Sequence, residues 1–336
     1  MKWSNTAQII SGDTLDARFY ILHCENILRK LAGPKSQYSK KTLAIHRMFL
    51  FIQVLEATSF SQSREQYTKA LESHSSHVDE LALVERMPEG YDQSYSSQTL
   101  TRASIQDLGL DGPENEFYEE VYGVPGSLLR LIARTTSLIN EIESCRCNGG
   151  ISGPLPHGLA QKALILENSI CAWGTRGSHG GRPALNYSDL SAEESETDQA
   201  SDLPLVMQNC ISAAVYHALL IYFFRSVRNT NPVILQHYVE SVLRNLETHT
   251  QYKTRFSPTR LNVIVWPSFI AACEAIGEGL RARSIECLRQ AAWSGFRNWE
   301  TAENVTREVW RRRDAGYANA TWQSVAKESS ISMVLT

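Results

Sequence analysis

The chain has 336 residues, 43% of them hydrophobic and 21% charged, which is enough apolar material for a sizeable core in one large or two ordinary domains. A net charge of −3 gives the whole chain no electrostatic case for nucleic-acid binding. The seven cysteines are scattered through mostly apolar helical runs, as reduced core thiols are, and the start MKWSNTAQIISGD lacks the apolar run of a secretory signal, so nucleus or cytosol is the expected location.

Taken in order, residues 15–31 place Ile21, Cys24, Leu28 and Leu31 at helical spacing, and Gly33 with Pro34 ends the pattern. A second helix is expected over 40–59, burying Leu43, Met48, Phe51, Ile52 and Leu55 and turning Lys40, Lys41 and Arg47 to solvent. Residues 61–115 are rich in Ser, Gln, Glu and Asp, and read as a flexible surface excursion with weak helical potential over 67–84. From Glu116, the residues Gly123, Pro125 and Gly126 split a short helix from a long one. The long one carries Leu128, Leu131, Ile132, Thr135, Leu138, Ile139 and Ile142 on one face. A Gly/Pro turn precedes another amphipathic helix, with Leu159, Ala163, Leu166, Ile170 and Trp173 inward. Residues 174–203 are glycine-rich and then acidic, and read as a second flexible excursion that is dispensable for folding.

The run NCISAAVYHALLIYFFRSVRNTNP follows. Between Cys210 and Phe224 only Ser212 and His217 interrupt the apolar residues, so a helix here needs cover on every side. A membrane span is the competitor, but Arg225 and Arg228 close the run short of the ~20 residues required, which favours a buried central helix. Asn231 is placed to cap the next helix, whose Ile234, Leu235, Tyr238, Val239, Val242 and Leu246 share a face. Trp266-Pro267 opens a short buried helix, residues 280–293 make another, and Trp299, Ala302, Thr306, Val309 and Trp310 mark a last long one ending in Arg311, Arg312 and Arg313. Thr321 is placed to cap WQSVAKES before the closing ISMVLT. No segment alternates as a strand does, so the fold class is all-α, a single large helical domain around the central helix.

Motifs that carry chemistry are scarce. Cys145-Arg-Cys147 is a lone pair with no second pair to complete a metal site, and His74, His77 and Asp79 lie in a polar, flexible stretch. No glycine-rich phosphate loop, nucleophile elbow or His-Glu metal motif is present, so no metal and no cofactor is expected. His217 and Glu274 are the polar groups set deepest in apolar runs. One reading makes His217 a core histidine bonded to a tyrosine and pairs Glu274 with Arg225, Arg228 or Arg281. The other places His217, Tyr216 and Glu274 on a ligand or acid-base pocket walled by Phe223, Trp266 and Phe269. Arg311–Arg313 read as complementing a helix dipole or touching phosphates.

Six blocks in order carry a resemblance: RFYILHCENILRKLAGPKSQYSKKTLAIHRMFLFIQVLEATS, FYEEVYGVPGSLLRLIARTTSLINEIE, LAQKALILENSICAW, YHALLIYFFRSVRNTNPVILQHYVESVL, VWPSFIAACEA and TREVWRRRD with the closing WQSVAKESSISMVLT. The chain resembles the C-terminal regulatory domain of fungal Zn2Cys6 transcription factors, the fungal-specific transcription factor domain of the arginine metabolism regulation protein II type. The resemblance implies an all-α domain that regulates transcription, senses a small-molecule effector or a protein partner, and often helps homodimerisation; it supplies no catalytic residues. The zinc cluster that reads DNA in that family is missing from this sequence, so no sequence-specific DNA binding by this chain is expected. Two functions remain open: a regulator of a metabolic or secondary-metabolite pathway, and the same scaffold recruited as an enzyme in a fungal biosynthetic pathway, with His217, Glu274 and Tyr216 catalytic.

Overall fold

A computed structural model describes residues 40–59, 116–149, 155–175, 196–256, 264–290, 298–317 and 320–329, together with residues 331, 333 and 335. The helix expected over 15–31, the excursion over 61–115 with His74 and His77, and residues 176–195 lie outside these residues. The elements are α1 (Lys40–Ser59), α2 (Glu116–Tyr122), α3 (Gly126–Gly149), α4 (His157–Thr175), α5 (Glu196–Ser226), a 3-10 turn (Pro232–Leu235), α6 (Gln236–Phe256), α7 (Val265–Glu274), α8 (Glu278–Gln290), α9 (Asn298–Asp314) and α10 (Trp322–Glu328). The fold is all-α, and among the described residues there is no strand.

The central helix is α5. Its stretch Leu205–Ser226 is long and apolar enough to cross a membrane by length and composition. Here it is a core helix instead, with Cys210, Ala214, Ala218, Leu219, Ile221 and Phe223 fully buried. It packs most extensively on α6 and α7 and also meets α3 and α4, while α7 touches α6, α8 and α9. Every helix adds side chains to one continuous apolar cluster. Where α5 passes the turn between α2 and α3, Ser212 Oγ donates to the Gly123 carbonyl at 2.8 Å. Gly123 has φ +70°, and a Cβ there would meet Ile211 at 3.3 Å, so both backbone and packing favour glycine.

All ten residues of α7 are buried, so the open ends of its hydrogen-bond ladder need partners from elsewhere. Pro267 in the first turn has no N–H to satisfy, and the Trp266 N–H donates to Leu335 O at 3.0 Å. At the other end, Trp310 Nε1 donates to Ala272 O and Gln236 Nε2 donates to Glu274 O, both at 2.9 Å. Gln236 Oε1 also accepts from the Ile276 N–H at 2.9 Å. Near the first end, Ser59 Oγ donates to Met333 O at 2.6 Å and accepts the Met333 N–H at 3.3 Å. Residues Met333 and Leu335 thereby tie α1 to α7 with both side chains buried.

Three local expectations change. Met48 of α1 is 45% exposed, whereas Arg47 turns inward and lays its guanidinium 5.5 Å from the Phe117 ring centre. The buried face of α1 is Leu50, Phe51, Val54 and Leu55, fixed by Phe51 stacking on Tyr122 at 3.8 Å. Ile234 is 63% exposed because the segment after Asn231 begins as a 3-10 turn, whose tighter winding takes Ile234 off the stripe that buries Leu235, Val239 and Val242. Asn231 does cap it, accepting from the Val233 N–H at 2.9 Å. Finally, residues 196–203 are helical and belong to α5. Acidic composition suits a loop, but it also suits the first turns of a helix, where the dipole end is positive.

Candidate functional site

Tyr216 and His217 lie on the part of α5 that meets α4 and α6. The Tyr216 ring sits 5.1 Å from Trp173 of α4, and the His217 ring 6.1 Å from Tyr238 of α6. Trp173 is fixed by donating from Nε1 to Ser127 Oγ at 3.0 Å. Gly174, expected to open a glycine-rich loop, is instead near the end of α4 and makes room for the Tyr216 ring: a Cβ there would stand 2.5 Å from Tyr216 Cζ. His217 Nδ1 lies 2.8 Å from the Ala213 carbonyl, to which it donates. Burial lowers its proton affinity below the usual histidine range, so the ring is neutral at physiological pH. Burial also pushes the Tyr216 phenol up to about 12.

Glu274 is elsewhere, at the end of α7. Its carboxylate faces two guanidiniums, Arg225 Nε at 2.9 Å and Arg313 Nη2 at 3.0 Å, and its side chain is 3% exposed. Burial pushes this carboxyl up and the two cations pull it back. Of the three partners the sequence offered, Arg225 pairs with it; Arg228 goes to Glu167 at 2.9 Å and Arg281 to Asp314 at 2.7 Å. The basic run is likewise committed within the fold: Arg311 and Arg312 share Glu308, Arg312 also reaches Glu328, and Arg313 holds Glu274. Since Arg225 follows His217 by eight positions on α5, the two ends of the expected pocket are about 12 Å apart along the helix axis. Phe223, Trp266 and Phe269 are fully buried in the core. Trp266 sets its edge to Tyr222 at 6.0 Å, and Phe269 packs on Trp322 at 5.5 Å. The structure groups Tyr216 with His217, and Phe223, Trp266 and Phe269 with the interior, and leaves Glu274 with its arginines.

A cavity of about 90 Å³ opens at a different place, between the last turns of α6 and the facing parts of α5, α7 and α8. Ile211, Leu246 and Ile264 supply its apolar wall. Its polar groups are His249, Thr250, Lys253 and Thr254 from α6, Ser268 from α7, and Cys287 and Gln290 from α8. His249 is 8% exposed, and burial, with Lys253 adding to it, holds its pKa down to about 4. Burial lowers the Lys253 ammonium too, and pushes the Cys287 thiol up to about 12. The sequence held a signal for this site: the apolar stripe Val239, Val242, Leu246 continues at helical spacing onto His249 and Lys253, which puts two basic residues on a buried face. Among the described residues no three His, Cys, Asp or Glu side chains converge as a metal site requires.

The chain is 21% identical to arginine metabolism regulation protein II of Saccharomyces cerevisiae (strain ATCC 204508 / S288c) over 388 aligned positions. That alignment takes in 99% of this chain and 42% of the yeast protein, so the chain spans less than half the length of the relative it matches. No solved structure matches it. The profile of the fungal specific transcription factor domain matches residues 4–336, and the chain therefore belongs to the fungal specific transcription factor domain family.

Proposed function

We propose that this chain is a transcription-regulating helical domain that controls genes of a metabolic or secondary-metabolite pathway, in the nucleus, in response to a small effector or a protein partner. The observation that carries this is the family match over residues 4–336, joined to a relative whose name places it in arginine metabolism regulation. The basic residues of α9, the obvious candidates for touching phosphates, are taken up by Glu308, Glu328 and Glu274, which supports a domain that reaches promoters through another module or partner.

The test is a tethered reporter. Fused to a DNA-binding module of known target, the chain is expected to change reporter transcription relative to the module alone, while the free chain retains no duplex at nanomolar concentration and physiological salt. Reporter output equal to that of the module alone, or sequence-selective duplex retention by the free chain, would contradict the proposal.

A further inference from the structure

The cavity at the end of α6 has a polarity that no partner among the described residues accounts for. Lys253 and His249 both line it, and neither makes a hydrogen bond or ion pair within the described residues, although His249 is more than nine-tenths buried. Gln290 lines the same cavity. Its Oε1 is taken by the Thr250 hydroxyl at 2.8 Å, leaving Nε2 as a further donor. Ser268 Oγ donates to Val265 O at 2.7 Å, and no carboxylate among the described residues lines the cavity. Among the described residues the concavity therefore holds a cation, an imidazole and an amide side chain, and no anion meets them.

A buried or half-buried polar group without a partner is costly, and folds supply the partner or a ligand does. A lysine in the last turn of a helix complements the dipole equally well from solvent, so the dipole gives no reason for Lys253 to line a cavity. The donor set is wrong for a metal ion, and the Cys287 thiol, held protonated, is no nucleophile. Size limits the occupant: about 90 Å³ is smaller than the ~150 Å³ apolar cavity that takes a benzene ring.

We propose that this cavity binds a small organic carboxylate, with the Lys253 ammonium as its counter-charge and the His249 ring and Gln290 Nε2 as hydrogen-bond donors. The site gives the effector of the regulatory reading a location and a charge, and rests on that reading only for its consequence in the cell. A bound anion favours the protonated form of His249, and so raises the ring's proton affinity from the low value that burial imposes. Among the described residues that line the cavity, the titratable ones besides His249 are Lys253 on its own helix and, from α8, the Cys287 thiol, which stays protonated throughout; α5 and α7 present Ile211, Ile264 and Ser268 there.

The experiment is thermal unfolding of the purified chain against acetate, with acetamide as the neutral isostere and chloride holding ionic strength constant. Acetate is expected to raise the melting temperature saturably, with a midpoint of about millimolar for so few atoms, and acetamide is expected to leave it unchanged. Lys253→Met, checked for folding by circular dichroism, is expected to weaken the acetate response at least tenfold, and Lys253→Arg to retain more of it. Equal responses to acetate and acetamide, or a folded Lys253→Met protein that answers acetate as the wild type does, overturn the proposal. Saturable acetate binding by a chain that fails the tethered reporter supports the site and overturns the regulatory reading alone.

Discussion

Glu274→Gln is expected to lower the unfolding free energy by about 3 kcal/mol, at the lower end of the cost of breaking a buried ion pair from one side. The carboxylate stands between Arg225 and Arg313, whose side chains are 14% and 18% exposed. Glutamine keeps the shape and one acceptor but removes the negative charge, leaving two guanidiniums close together in a poorly solvated site. Arg225 retains the Thr230 carbonyl, to which Nη1 donates at 2.6 Å, so its loss is partial. Because the triad joins the ends of α5, α7 and α9, the loss is expected in global stability rather than in one loosened helix. Urea unfolding followed by circular dichroism measures it. A change below about 0.5 kcal/mol, the usual range of a neutral surface substitution, would mean that the buried carboxyl is already protonated in the folded chain.

The second large effect belongs to Trp266. Trp266→Ala is expected to cost about 3–5 kcal/mol, a substantial part of the roughly 5–15 kcal/mol that holds a domain together. Its ring is fully buried against Tyr222, and its Nε1 donates to Thr58 Oγ1 at 2.9 Å. Thr58 in turn donates to Leu55 O at 2.6 Å, so it keeps a partner when the indole is lost. Trp266→Phe, which retains most of the volume and gives up one hydrogen bond, is therefore expected to cost less, about 1–2 kcal/mol. The ordering Ala well below Phe, and Phe somewhat below wild type, is read from melting temperatures at fixed protein concentration. Equal melting temperatures for all three proteins would show that Trp266 walls an accommodating pocket rather than a packed core.

The helices were legible where periodicity and punctuation agree. Gly123, Pro125 and Gly126 separate α2 from α3, and Asn231 and Thr321 stand at caps whose side chains accept the expected backbone N–H groups. What stayed hidden depends on which faces distant helices present to one another. Arg225, Arg228 and Arg281 were equally good partners for Glu274 by composition, and only the meeting of α7 with α9 brings in Arg313. Ile234 left its stripe through a change in helix type that hydrophobic pattern does not encode. His249 and Lys253 lie in the polar run ETHTQYKTR, where local composition suggests a solvated helix end. Their position on the extension of the buried stripe of α6 was the available signal, and it acquires meaning only when α7 and α8 close the other sides of the cavity.

Regulation of transcription is the central claim, and the direct measurement is the transcript response when an inducible copy of the chain is switched on in a fungal host lacking the gene. A coherent set of metabolic transcripts is expected to change within the first generation, before the metabolites they govern, and to stay unchanged when the induced copy carries Glu274→Gln at a temperature where that variant is unfolded. Unaltered transcripts, together with a new product formed by the purified chain from a pathway intermediate, would contradict the regulatory account and favour an enzyme on the same helical scaffold.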